Sequence, residues 1–266
     1  MENKSAIKPP ESSKRETDNG ANLLFYLVVF VALFLLIWAL GLIVFISTRS
    51  TDVTVARVNR SFLRSAREAQ YEAANYSKAL DLAYDEQGSP AIAEFDLMML
   101  EINPDFVCWI YIHGTNVDYP VVRAKNNEKY LDLTFFGERN RHGAIFMDYR
   151  NVGEFVPHII IYGHNTRDGS KFGSLRYFLE DDFLQNYPII TITTNGRIVK
   201  YKIFSARLTD VYDPAYFLDF SEPGSFRAFL ERIDAPPDAS QIITLSTCVS
   251  RGRDYERLIV QGALIE

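Results

Sequence analysis

Apolar and polar positions follow three different rhythms along this chain. From Leu23 to Ile46 stand 24 residues without a charged side chain. As a helix they would measure about 36 Å at ~1.5 Å per residue, enough to cross a ~30 Å hydrocarbon core with some tilt. The run predicts a membrane anchor over residues 22–47, behind a polar tail, 1–21, that contains Pro9-Pro10 and Ser12-Ser13. A cleaved signal peptide is the competing reading. The run exceeds the usual ~7–15 apolar residues, however, and Ser47-Thr48-Arg49-Ser50 offers no small-x-small cleavage site.

The second rhythm has a period of three to four. Val55, Val58, Phe62, Ala66, Ala69, Ala73, Tyr76, Leu80 and Ala83 predict a long amphipathic helix within an amino-terminal helical segment, 48–89. Ser89-Pro90 can cap and start a second helix carrying Ile92, Phe95, Met99 and Ile102, and Asn103-Pro104 stops it.

From Phe106 the rhythm shortens to runs of β-branched and aromatic residues. Strands are predicted at 106–112, 117–122, 144–148, 159–162, 189–194, 197–208, 241–248 and 258–265. Asn195-Gly196 marks a tight hairpin, since both residues tolerate positive φ. Phe172, Leu175, Leu179 and Phe183 predict a helical stretch facing the core, and Phe226, Phe229, Leu230 and Ile233 another. Eight short strands in mostly hairpin order, with a few helices between, predict a mainly β fold with helical insertions (α+β). The expected form is a closed eight-stranded barrel over residues 90–266.

Composition narrows the partners. The chain has 266 residues, 47% of them hydrophobic, and a net charge of -6. In the first 20 residues four basic groups cancel four acidic ones, so the acidic excess lies beyond the apolar run. A net-acidic body with no basic run argues against nucleic acid. Four Lys/Arg precede the span and five follow it closely, so the positive-inside count does not orient it. No two His or Cys have ligand spacing, and no metal or other cofactor is expected.

Candidate chemistry centres on Gln241-Ile242-Ile243-Thr244-Leu245-Ser246-Thr247-Cys248. The two-residue period places Thr244, Ser246 and Cys248 on one face, so the thiol ends the strand facing a groove. A lone cysteine there is either a small buried hydrophobe or, given a base or cation beside it, a nucleophile. His164 comes directly off the strand at 159–162 into a polar loop, and Arg257 begins the last strand. His113 and His142 sit beside turn glycines and His158 precedes a strand, which suggests solvated or capping roles. Cys108, within an apolar run, reads as an inert core thiol.

Thr244-Leu245-Ser246-Thr247-Cys248, Tyr162-Gly163-His164-Asn165 and the late Arg257 together resemble the sortases, cysteine transpeptidases of Gram-positive bacteria. The likeness covers residues 90–266. It is nearest to class B, with an amino-terminal anchor and helices, and a helix at 224–234 inserted before the cysteine strand. The resemblance implies that Cys248 is the nucleophile, His164 the general acid/base and Arg257 the oxyanion stabiliser. It also implies that Asn127, Leu131 and Ser246 line the substrate groove, with Tyr212 and Tyr216 on the loop that covers it. The implied substrate is a secreted protein bearing a carboxy-terminal sorting signal, with an N-P-x-T-like motif expected. The implied acceptor is an amine of a lipid-linked peptidoglycan precursor, and the catalytic domain would lie outside the plasma membrane with the amino terminus in the cytoplasm. A class B-like pilin polymerase, a Cys-His endopeptidase and an inactive membrane-tethered binding module stand as alternatives.

Overall fold

The computed structural model describes Leu35, Trp38 and Leu40, and then residues 90–153, 156–249 and 255–265. The chain divides into two compact units, Met1–Val58 and Asn59–Glu266. In the first, the three described residues are helical and exposed. No helix among the described residues is long and apolar enough to cross a membrane. The predicted anchor at 22–47, apart from those three positions, and the predicted helix over 55–83 lie outside the described residues.

In the second unit eight strands close a barrel. They are β1 (Phe106–Ile112), β2 (Asp118–Val122), β3 (Ile145–Met147), β4 (His158–Tyr162), β5 (Ile189–Thr194), β6 (Arg197–Asp210), β7 (Ile242–Cys248) and β8 (Glu256–Leu264). Their order around the barrel is β1-β2-β3-β4-β7-β8-β6-β5. Alternation sends Ile110, Ile112, Val121, Ile161, Ile190, Ile243, Leu245 and Val260 into one interior cluster. Asn195 and Gly196 turn the β5–β6 hairpin at φ 49° and 76°.

The expected hairpin order holds for β1–β2, β3–β4, β5–β6 and β7–β8, with two exceptions. β2 pairs with β3, and β4 with β7, in parallel. Parallel neighbours need long crossovers, and the residues between β4 and β7 include the β5–β6 hairpin and the helix before β7. Side-chain alternation within a strand carries no information about which strand it will pair with, so the crossover was not readable from the pattern.

The helices patch the outside. α1 (Pro90–Ile102) buries Phe95 and Met99 against Phe106, Trp109 and Phe146. Asp96 accepts a hydrogen bond from the Gly196 N–H at 3.0 Å, which ties the helix to the hairpin turn. Ile102 faces outward, contrary to expectation. Leu179 is also exposed rather than in the core. The cause is local geometry: Gly173–Leu179 is a 3-10 helix, followed by the short α2 (Asp181–Asn186). At three residues per turn the aligned positions are Phe172, Leu175 and Phe178, and all three are buried. α3 (Ser225–Arg232) lays Phe229 and Leu230 on Ile242 and Ala263 of the barrel's outer wall.

Candidate active site

Cys248 is the last residue of β7 and the exposed end of an otherwise buried strand. Its neighbours follow from strand pairing. In the antiparallel β7–β8 ladder, Cys248 stands directly opposite Arg257, Ser246 opposite Ile259 and Thr244 opposite Gln261. Arg257, Ile259 and Gln261 therefore share the face of the thiol. On the other side, parallel β4 sets Tyr162 beside Ser246, and two residues further along the two strands come His164 and Cys248.

The turn carrying His164 is fixed from several directions. Gly163 donates its N–H to the Ser246 carbonyl at 3.2 Å, and Phe172 donates to the His164 carbonyl at 3.0 Å. A Cβ on Gly163 would stand 2.4 Å from Ile145 Cδ1 and 2.8 Å from Phe172 Cγ, so only glycine lets the chain leave β4 this close to the core. His164 Nε2 lies 2.7 Å from the Leu131 carbonyl oxygen. A carbonyl can only accept, so Nε2 carries the hydrogen and Nδ1 of the neutral ring is the basic nitrogen. Asn165 Nδ2 donates to the Cys248 carbonyl at 2.7 Å and joins the histidine turn to the thiol's own peptide unit. Sequence reasoning missed that contact, since nothing in Gly163-His164-Asn165 says where a short amide will reach.

The groove residues divide. Ser246 is 2% exposed, hidden beneath Tyr216, whose hydroxyl lies 2.7 Å from Ser246 Oγ. Burial chiefly pushes the Tyr216 hydroxyl pKa up, and it also feels the charges of Arg257 and Cys248, so Tyr216 borders the site. Leu131 is 44% exposed, which makes it a surface side chain rather than a core one, and its carbonyl is what holds His164. Asn127 is one step removed: its Nδ2 donates to Asp148 Oδ2 at 3.1 Å, and the same oxygen accepts from the Tyr162 hydroxyl at 2.9 Å. Burial raises the Asp148 carboxyl, but the hydrogen bonds and charge of Arg150 more than offset this and leave it below the usual range. Tyr212 is 86% exposed, its N–H bonded to Asp210 Oδ1, and the structure does not bring it to the thiol. Arg251 and Arg253 lie outside the described residues.

His158 corrects a sequence expectation. It is fully buried, neither solvated nor capping, because the segment following β6 and α3 close over that side of β4. Its ring is tilted against Phe229 at 4.7 Å between centroids, with Nδ1 2.8 Å from the Phe217 carbonyl oxygen and Nε2 2.8 Å from Thr244 Oγ1. Burial lowers its pKa from 6.5 to about 4. The folded protein thus refuses a proton that the unfolded chain accepts, and stability is present above pH 6.5 and drains away as pH falls toward 4. The loss is expected to be about 3 kcal/mol, measured by urea unfolding at the two ends of that window. His142, lowered by burial and by Arg141, adds in the same sense, and Asp96, raised by burial, opposes it. A flat stability profile across the window would contradict the burial of a neutral His158.

A closed β-barrel that ends a strand in an exposed thiol, with a histidine and an arginine on the flanking chains, is a scaffold for cysteine-dependent acyl transfer. Comparison with known proteins narrows the class. The Sortase domain profile matches residues 110–265. The chain is 35% identical to sortase B of Listeria monocytogenes over 179 residues, covering 62% of this chain and 72% of that protein. It is 31% identical to sortase B of Staphylococcus aureus over 214 residues, covering 74% and 86%. The solved Staphylococcus aureus sortase B-substrate complex superposes with a TM-score of 0.62 at 27% identity, covering 75% of this chain and 94% of that one. The chain belongs to the sortase family of cysteine transpeptidases, and these relatives are class B members.

Proposed function

We propose that this enzyme cleaves a carboxy-terminal sorting signal and transfers the upstream protein, through a thioester on Cys248, to an amine of a peptidoglycan precursor. The observation that carries the reading is the pairing of Cys248 with Arg257 across β7 and β8, with His164 on the neighbouring parallel strand's extension. The Cys248 thiolate attacks the scissile carbonyl. Arg257 and a backbone N–H hold the tetrahedral oxyanion. His164 donates the proton that lets the amine depart, and Nδ1 is the nitrogen free to carry it once Nε2 is bonded to Leu131. The thioester then awaits an incoming amine, which His164 deprotonates as it attacks, and the thiolate is released. Leu131 and Tyr216 wall the peptide's path, Ser246 supports Tyr216 from beneath, and Asn127 and Tyr212 stand at the margins. A relative was solved with a substrate bound, which supports a peptide groove here.

Incubation with a panel of sorting-signal peptides, an N-P-x-T-like one among them, with and without an added amine tests the reading by product mass. An amine-dependent ligation product is expected. Hydrolysis alone, unaffected by amine, would point to a Cys-His endopeptidase, and polymerised pilin subunits to the assembly of pili.

The 24-residue apolar run supports a single-pass anchor, with residues 1–21 in the cytoplasm and 48–266 outside, where wall acceptors are. Protease added to intact protoplasts is expected to remove the barrel. A barrel that survives in intact protoplasts, with the tail shaved there instead, would reverse the orientation.

A further inference from the structure

On the outer wall of the barrel a line of buried or half-buried polar side chains crosses four adjacent strands, β6, β8, β7 and β4, and none of them takes part in the chemistry above. Arg207 Nη1 donates to Gln261 Oε1 at 2.7 Å. Gln261 Nε2 donates to Thr244 Oγ1 at 3.1 Å. Thr244 Oγ1 lies 2.8 Å from His158 Nε2, and His158 Nδ1 lies 2.8 Å from the Phe217 carbonyl oxygen. The ends decide every direction in between. A guanidinium has no acceptor, so it must meet the oxygen of Gln261 and leave the amide nitrogen for Thr244. A carbonyl has no donor, so the hydrogen of His158 sits on Nδ1, and the bare Nε2 receives the Thr244 hydroxyl proton. The chain is one-way, with each group satisfied in one orientation only.

Both ends of this chain land on the same short turn. Arg207 Nη2 is bonded to both oxygens of Asp213, at 2.9 and 3.2 Å, and Asp213 Oδ1 accepts the Ala215 N–H at 2.8 Å to start the 3-10 turn Pro214–Tyr216. Phe217, whose carbonyl takes the far end, closes that turn. Between the two anchors stands Tyr216, with its hydroxyl on Ser246.

We infer that His158 and Thr244 are positioning residues for transpeptidation: with Gln261 and Arg207 they clamp the Asp213–Phe217 turn and so hold Tyr216 over the strand that carries the thiol. The effect falls on peptide binding, which rests on the proposal that Tyr216 walls the substrate groove. It leaves the nucleophile itself untouched, because none of the four residues contacts Cys248 or His164 in the hydrogen bonds described.

Thr244→Val tests this with nearly unchanged shape, where His158→Ala would open a hole in the wall and could fail to fold. The KM for a sorting-signal peptide is expected to rise about tenfold with kcat within about threefold, in keeping with the loss of buried hydrogen bonds. Amide exchange of Ala215, Tyr216 and Phe217 should quicken, while the rate of Cys248 alkylation by iodoacetamide stays within about twofold of the parent. Thr244→Ser, which restores the hydroxyl, should return both KM and exchange to near-parent values. Unchanged exchange at the turn in folded Thr244→Val would overturn the clamp, and faster exchange with an unchanged KM would overturn its role in substrate binding. If the parent enzyme itself makes no ligation product, the functional reading has failed, and the exchange experiment still decides the clamp.

Discussion

Arg257→Lys is expected to lower transpeptidation about 100-fold or more, the scale of losing one oxyanion donor at ~2.7–4 kcal/mol. Arg257 stands opposite Cys248 in the β7–β8 ladder, so its Cα position is set by backbone pairing on both strands. A side chain rooted in a strand has less freedom to lose when it holds one geometry. Nη1 also donates to the Glu256 carbonyl at 2.9 Å, a contact that helps to orient the planar guanidinium. An ammonium has no second edge to offer and cannot reproduce paired donors. Arg251 and Arg253 flank Gly252 in a polar connection, and their replacement by lysine should cost less than about fivefold. Steady-state transpeptidation by the three folded variants decides the assignment. A near-native Arg257→Lys enzyme, or a loop arginine that proves more costly, would refute it.

Cys248→Ala should abolish turnover altogether, since the nearest hydroxyls along β7, Ser246 and Thr247, are both buried while the thiol is exposed. Cys108→Ala should instead act on stability, by about 1 kcal/mol, and leave specific activity intact. Cys108 lies in the interior cluster, where burial pushes its thiol far above the ordinary range and keeps it protonated. Iodoacetamide should accordingly mark Cys248 and spare Cys108 in the native protein, read by peptide mass. Equal loss of specific activity in the two folded variants would contradict this division.

Much of this could be read from the chain alone, and the exceptions have identifiable causes. The shared face of Thr244, Ser246 and Cys248 was legible from two-residue alternation, which survives folding because a strand's faces are fixed by its own backbone. His164 stood out by its place immediately after a buried strand, and the parallel β4–β7 pairing does bring that strand end beside Cys248. His158 misled because its burial comes from Phe217, Phe220 and Phe229, at least 59 residues away, and nothing local announces a distant cover. The clamp around Asp213 escaped for the same reason: Arg207, Thr244 and Gln261 look like ordinary polar positions until four strands are set side by side. Leu179 failed on helix type, because the spacing that suits a 3.6-residue turn is out of phase in a 3-10 helix.

The parallel pairing of β4 with β7 has a kinetic side. His158 and Ile242 meet across 84 positions of chain, as do Trp109 and Thr193 where β1 meets β5 to close the barrel. Contacts of such separation pay their loop-closure entropy before they return any stability, so folding should be slow, on the ms–s scale of high-contact-order β proteins. The strands that bring His164 to Cys248 are among those late pairs. A chain still short of barrel closure therefore carries a cysteine without its histidine in place, even where the local β7–β8 pair has already set Arg257 opposite it, and recovered activity on refolding should keep step with the burial of Trp109 rather than precede it.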